Sequence, residues 1–172
     1  MAITRNQTQF GKELPSFDQN KPGYNRRVNS IQSDDIDETV IQYAEVAITA
    51  AEMLALRATP KSLVAAPDAG YILEFVSALF IYDYTAAFTE TDDNIEVKYT
   101  DGSGAVASTT LDATGLLDAT SDQIRTLKPI VTNLTPVTNA ALVLHNAGNG
   151  EWGGTGSPCR VKVAYRVHKT DL

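Results

Sequence analysis

The sequence predicts an all-β domain: a β-sandwich or barrel, jelly-roll-like, with an extended N-terminal arm and one or two short helices. Three observations predict it. Short apolar-alternating segments recur between turns rich in Gly, Pro, Asn and Asp. β-Branched and aromatic residues dominate those segments. Only a few residues carry helix-start signatures, and no long 3.6-residue apolar period is present. At 172 residues the chain suits one ordinary core, and the boundaries read as an arm over residues 1–33 followed by a β-domain over 34–172.

The arm holds Phe10, Leu14, Phe17, Tyr24, Val28 and Ile31 without any period, among Gln, Asn, Ser, Pro15 and the Pro22-Gly23 breaker. Such a segment cannot bury a continuous face, so it is expected to be extended or disordered when alone. Fully extended it reaches about 100 Å, at roughly 3.3 Å per residue. It reads either as an anchor whose isolated aromatics enter pockets of a partner or as a plain loose terminus.

Order is expected from about Glu38. Val40, Ala44, Val46 and Ile48 alternate with Gln42, Glu45 and Thr49 as a strand, although Ile36, Val40, Tyr43 and Ala47 also fit a helix. Thr49-Ala50-Ala51-Glu52 is a capping box ahead of Met53-Leu54-Ala55-Leu56, one or two helical turns stopped at Thr59-Pro60. Ser62–Ala66 is short and apolar, and Pro67-Asp68-Ala69-Gly70 is a turn. Tyr71–Tyr84 is the longest apolar stretch and reads as a strand buried on both faces, with room for a bulge. Asn94–Tyr99 alternates cleanly and is turned by Asp101-Gly102-Ser103-Gly104 into Ala105–Leu111, the strongest hairpin signal in the chain. Ser121–Leu127 reads as a capped helical turn, and 131–137 is ambiguous. Ala141–Asn146 and Arg160–Val167 are strands, joined by a Gly-rich loop that carries the only Trp, Trp152.

Charge and cysteine content narrow the function. The net charge is −7, which argues against non-specific nucleic-acid binding. No apolar run approaches the roughly 20 residues of a membrane span. The first residues lack the apolar stretch of a signal peptide, so a cytoplasmic site of synthesis is expected. Cys159 is alone, which rules out an intrachain disulfide and a cysteine-based metal site; it reads as a small packed residue. The arm is basic, with Arg5, Lys12, Lys21, Arg26 and Arg27 against Glu13 and Asp18. The body between Asp83 and Asp122 is acidic, with Glu90, Asp92, Asp93, Glu96, Asp101, Asp112 and Asp118 against Lys98. Such asymmetry fits an arm lying on a neighbour's acidic surface, or merely patchy solvated faces.

Chemistry-bearing constellations are sparse. Asp92, Asp93 and Asn94 with Asp101 form an oxygen cluster that reads as a cation site or, more simply, as turn formers. His145 and His168 sit at or near strand ends with neither a nucleophile elbow nor a zinc-binding spacing beside them. The loops around Gly102 and Gly150 lack the Lys of a phosphate loop. No enzyme and no cofactor is therefore expected. Trp152, placed among glycines, reads first as an exposed contact residue and the interaction site of the body, and otherwise as a Trp folded back onto its own core.

From Ile48 onward the chain resembles the bacteriophage head decoration, or capsid cement, proteins and related small phage proteins. The stretches that carry the resemblance are Ile48–Leu56, Thr59–Gly70, Asp83-Tyr84, Asp93–Thr100, Ala141–Asn146 and Val161–His168. The resemblance is one of strand-and-turn rhythm without a catalytic signature. It implies a compact β-domain, a homotrimer seated where major capsid protein subunits meet on the outer capsid surface, and a virion location. It also implies terminal arms reaching across those subunits, and the arm's own basic and aromatic residues, Arg5, Phe10, Lys12, Phe17, Lys21, Tyr24, Arg26 and Arg27, are the contacts expected there. No nucleic-acid or membrane partner is expected. The long polar arm is the least family-like part and keeps open a phage tail, fibre or receptor/glycan-binding module.

Overall fold

The computed structural model describes residues 38–89, 93–130, 135 and 137–170, with the backbone alone at 8–9 and 12–13. The chain separates into two compact units, Met1–Asp35 and Ile36–Leu172. In the first, β1 (Thr8–Gln9) pairs antiparallel with β2 (Lys12–Glu13). The aperiodic sequence gives no sign of this pairing, because two residues a side need only backbone partners and no apolar face.

In the second unit the chain runs β3 (Gln42–Ile48), α1 (Ala50–Leu54), β4 (Lys61–Val64), β5 (Tyr71–Tyr82), β6 (Phe88–Thr89), β7 (Asn94–Tyr99), β8 (Leu111–Asp112), β9 (Gln123–Leu127), β10 (Leu142–Asn146), β11 (Gly153–Gly154) and β12 (Cys159–Lys169). Apart from the short β6–β11 pair, the strands nest antiparallel about the β7–β8 connection. β7 pairs with β8, β5 with β9, β4 with β10 and β3 with β12. This ribbon rolls up because β12 also pairs with β5 and β10 also pairs with β7. The product is two four-stranded sheets, β3-β12-β5-β9 and β4-β10-β7-β8. Counted along the ribbon, those orders are 1-8-3-6 and 2-7-4-5. Nested hairpins rolled in this way make a jelly roll.

Both sheets contribute to one hydrophobic core. Val161, Val163, Phe80, Ile48 and Leu127 come from the first sheet, and Ile95, Val97, Leu142, Leu144 and Leu63 from the second. Each fully buried Val or Leu contributes about 1.5–3 kcal/mol. α1 is held by the expected capping box: the Thr49 hydroxyl accepts from Glu52 N at 3.2 Å, and Glu52 Oε2 accepts from Thr49 N at 2.9 Å. Lys61, at the start of β4, pairs with the same carboxylate. Together these contacts, the Lys61 hydrogen bond first, hold the Glu52 carboxyl down at about 2. The turn before β5 places Gly70 at φ +83°, a conformation that disfavours any side chain.

Three expectations need correction or refinement. β5 is not buried on both faces. Leu73 and Phe75 point inward, then Ala78, Phe80 and Tyr82, so the inward phase slips by one residue between the two halves. The partner register shows why: Ala164 faces Ser77 and Tyr165 faces Phe75, leaving Val76 as an extra, bulged residue. Without that residue, half of the strand's apolar side chains would turn to the outside.

Ser121–Leu127 is not helical. Gln123–Leu127 is a strand paired with Ala78–Tyr82 of β5. A turn of helix this short is marginal on its own, whereas the free edge of β5 supplies a hydrogen-bonding partner for every second residue. The hairpin after β7 forms, but it is bulged. Ala107 N and Ser108 N both donate to Val97 O, at 2.8 and 3.3 Å, and the Ser108 hydroxyl accepts from Val97 N at 2.8 Å.

Two substitutions separate core from cap. Leu144→Ala, at a fully buried site in β10, should cost about 2–5 kcal/mol. Thr49→Ala should cost about 0.5–2 kcal/mol. Urea unfolding of both variants checks the order; equal losses would contradict this view of the core.

Candidate functional site

Of the contact residues expected from sequence, Arg5, Phe10, Phe17, Lys21, Tyr24, Arg26 and Arg27 lie outside the described residues, as does the side chain of Lys12. Trp152 is inside them, and its expected exposure is wrong. It is 3% exposed and stacks edge-on against Phe88, with ring centroids 6.2 Å apart. The short β6–β11 pair sets Gly153 opposite Thr89 and Gly154 opposite Phe88, which pins the loop and draws the indole onto the core. The gain in apolar burial outweighs an indole N–H left without a partner. The loop glycines, read as a sign of exposure, instead let the chain fold back.

The acidic turn is likewise occupied internally. Asp93 accepts from Asn149 N and Gly150 N at 2.9 and 3.2 Å, and Asp101 accepts from Ser103 N at 2.8 Å. Asp92 lies outside the described residues. Among those described, no three His, Cys, Asp or Glu side chains come together as a metal site. Cys159 is buried, and desolvation, then the Asp83 charge, push its thiol far above the ordinary range. Among the described residues no helix is long and apolar enough to cross a membrane.

Polar side chains do gather on the outward face of the β4-β10-β7-β8 sheet. Glu96 and Lys98 of β7 and His145 of β10 share that face, with His145 opposite Glu96 in register. Lys98 Nζ lies 3.0 Å from Glu96 Oε1 and donates to Gly102 O at 2.8 Å. His145 Nδ1 lies 3.8 Å from Glu96 Oε1, beyond hydrogen-bonding distance, and is buried without a partner. The other edge of the imidazole packs on Gly102, where a Cβ would come within 2.7 Å of Nε2. A cleft of about 550 Å³ opens beside it, lined by Arg57, Pro60, Lys98, Asp101, His145 and Asn149 among others. Desolvation, then the Lys98 charge, lower the His145 pKa, and Glu96 opposes them in part. Sequence reasoning treated His145 as an isolated strand-end histidine. The i, i+2 spacing of Glu96 and Lys98 was the available signal that both share a face, but only pairing with β10 brings His145 to them.

A second cluster surrounds His168, which accompanies Glu74 at 2.8 Å and Glu38 at 3.7 Å; Arg166 Nη1 also reaches Glu74, at 3.0 Å. Burial raises the Glu74 carboxyl, but the bonds to His168 and Arg166 together outweigh it and leave it below 4.5.

The outward face of the β3-β12-β5-β9 sheet is of a different kind. Its rows run Ala47–Arg160–Ile81–Ile124, then Glu45–Lys162–Leu79–Thr126, then Tyr43–Ala164–Ser77. Tyr43 is 77% exposed and Ile124 59% exposed. Val40 lies just before β3, and Tyr84, whose N–H donates to Asp122 at 2.8 Å, lies beside the start of β9. The large apolar side chains left in solvent therefore fall at two opposite edges of this sheet. Neither β3 nor β9 has a further described strand beyond it.

No family model matches the chain, and no curated protein does. Among solved structures, a chain of the cyanophage Pam1 capsid asymmetric unit is similar at 18% identity and a TM-score of 0.40, covering 74% of this chain and 83% of that one. So distant a likeness assigns neither a family nor a function.

The buried polar cluster makes a measurable prediction. By NMR, His145 should titrate below the ordinary 6.5. Its contribution to stability is then full above about 6.5 and falls as the pH drops toward its folded value, because the unfolded chain binds the proton first. Glu96→Gln should lower its midpoint further and Lys98→Met should raise it; shifts of the opposite sign would show that these groups do not face the imidazole.

Proposed function

We propose that this chain is a non-enzymatic virion structural protein: a capsid decoration, or cement, protein that binds the outer surface of a phage head as a homotrimer and stabilises it. The observation that carries this reading is the outward face and free edges of the β3-β12-β5-β9 sheet, where Tyr43, Val40, Ile124 and Tyr84 remain in solvent. A soluble monomer normally shields long sheet edges. Exposed apolar groups along such edges suit burial against other chains. The strand-and-turn rhythm from Ile48 to His168 supports the phage assignment, and a jelly roll is compatible with it, although a fold alone fixes no function.

Cementing needs no chemistry. A trimer tied to several capsid subunits adds contacts whose strengths combine through effective concentration, so individually weak sites suffice. The basic arm, carrying Arg5, Lys12, Lys21, Arg26 and Arg27, supplies a second attachment to the major capsid protein. That attachment weakens with salt, because exposed charges are screened beyond about 8 Å at physiological ionic strength.

The cleft beside His145 favours a second reading, a receptor- or glycan-binding module of a phage tail or fibre. One comparison separates the two. Particles depleted of the protein should release DNA at a lower temperature than complete ones, and adding purified protein should restore the difference. Removing residues 1–33 should reduce the occupancy of added protein while leaving the body folded. Depleted particles that are equally heat-stable but fail to adsorb to cells would replace the cement reading with the receptor reading.

A further inference from the structure

The cleft beside His145 is built from groups of both signs, and several of them keep hydrogen-bonding capacity that the protein does not use. His145 is enclosed on one side: its side chain is 8% exposed, and Nδ1 faces Glu96 Oε1 at 3.8 Å. The neutral ring therefore keeps its proton on Nδ1, toward the carboxylate, and presents a lone pair at Nε2. Nε2 has no protein partner among the described residues. Gly102 is what leaves it uncovered, because a Cβ there would come within 2.7 Å of Nε2 and 2.8 Å of Cδ2. Gly102 does not lie at positive φ, so it supplies space rather than a conformation reserved for glycine.

Around that base stand groups in a similar condition. Lys98 Nζ directs two of its three protons to Glu96 Oε1 and Gly102 O, at 3.0 and 2.8 Å. Glu151 accepts from Arg57 N and Ala58 N, at 3.0 and 2.7 Å, which fixes the backbone there. The Arg57 guanidinium itself meets no carboxylate among the described residues. Asp101 Oδ1 accepts from Ser103 N at 2.8 Å, and its Oδ2 is unused. Asn149 has only its backbone N–H held, by Asp93, and its side-chain amide is free among the described residues. All four line the cleft together with His145, and its volume of about 550 Å³ lies within the range of small-ligand sites.

This set selects a ligand class by elimination. The apolar side chains of the lining are Ala58, Pro60 and Ala147, with no aromatic ring, so an apolar ligand gains little burial. A bare anion would face the Asp101 carboxylate and the Nε2 lone pair. A cation would face Arg57 and Lys98. A hydroxyl group fits, because it donates to a carboxylate or an imidazole nitrogen and accepts from an ammonium or a guanidinium. Several hydroxyls on one compact frame meet acceptors and donors at once.

We propose that this cleft binds a saccharide unit, with one hydroxyl donating to His145 Nε2 at its base and neighbouring hydroxyls bridging Asp101, Arg57 and Lys98. The inference rests on the second reading above, in which the cleft is a recognition site, and it names the ligand of that site.

NMR of the full chain tests it, with D-glucose, D-galactose and D-mannose as probes. At least one of them, at the millimolar concentrations that single sugar units need, should shift the His145 ring signals and the Gly102 and Asn149 amides. It should also move the His145 titration midpoint down, since an O–H donated to Nε2 stabilises the neutral ring. Arg57→Ala and Asp101→Asn change exposed side chains and keep the backbone contacts to Glu151 and Ser103, so both should retain the wild-type melting curve. Each should weaken binding about tenfold, the loss expected for one hydrogen bond to a charged group. Gly102→Ala should remove the response by covering Nε2.

No response to any of the three sugars would overturn the proposal, as would a response that all three variants leave unchanged. So would inorganic phosphate or acetate binding in their place and raising the His145 midpoint, which would make the cleft an anion site. The receptor role fails separately. Adsorption of virions that the bound sugar blocks places the saccharide on the host surface. Virions carrying Arg57→Ala that adsorb normally, while the purified variant has lost the sugar, would remove the receptor role and leave the site standing. A wild-type chain that binds no sugar, on virions whose adsorption still requires it, would overturn the site and leave the receptor role to another surface.

Discussion

Everything in the body depends on β12 entering between β3 and β5. Its backbone pairs with both neighbours over most of its length, from Cys159 opposite Ile48 and Tyr82 to Lys169 opposite Tyr71. Its odd-numbered residues Cys159, Val161, Val163 and Val167 all face the core. Until this strand is placed, β3 has no partner in its sheet and β5 has only β9. The nested ribbon is thus closed by its own last strand, a high-contact-order arrangement in which distant segments must meet before burial rewards them. The inner pairs, β7 with β8 and β5 with β9, span shorter loops and cost less entropy to close.

That closure also decides what is left outside. Because β12 keeps a two-residue period while β5 carries the extra Val76, Val161, Val163 and Val167 of β12 and Leu73, Phe75, Ala78, Phe80 and Tyr82 of β5 all stay inward, while Leu79 and Ile81 lie on the outward side. The outward side is then free to carry something other than core. On the β3-β12-β5-β9 sheet it carries a mixture of exposed apolar residues and solvent-exposed ion pairs. On the opposite sheet it carries the Glu96–Lys98–His145 cluster, where Lys98 pairs closely with the Glu96 carboxylate while His145 Nδ1 stays buried without a partner. One wall of the sandwich leaves apolar side chains in solvent at its edges, and the other holds a cleft lined by polar groups.

Local signals made much of the fold legible. The capping box at Thr49 and Glu52, the turn at Gly70, the alternation of Asn94–Tyr99 and that of Arg160–Val167 each depend on neighbours a few residues away, and each appears in the structure. What stayed hidden depends on pairing across the chain. Ser121–Leu127 has the Ser cap and the following Pro129 of a helical turn, and only the free edge of β5 makes Gln123–Leu127 a strand. Tyr71–Tyr84 looks two-faced because apolar Ile72, Leu79 and Ile81 stand among the inward residues, and only the pairing shows that they lie half-buried on the outward side. Trp152 looks exposed because glycines surround it, and only β6, more than sixty residues earlier, shows where the ring goes. The same limit applies to the surfaces: Tyr43 and Ile124 stand out in no local pattern, since their exposure follows from being at the two ends of a sheet whose order the sequence does not state.

The central claim is that this jelly roll is a structural part of a phage head. An asymmetric-capable cryo-electron microscopy reconstruction of intact virions tests it most directly. The account predicts density for the β-domain in threefold clusters on the outer head surface, in contact with several major capsid protein subunits. Density for this domain confined to the tail or its fibres, with a bare head, would contradict it.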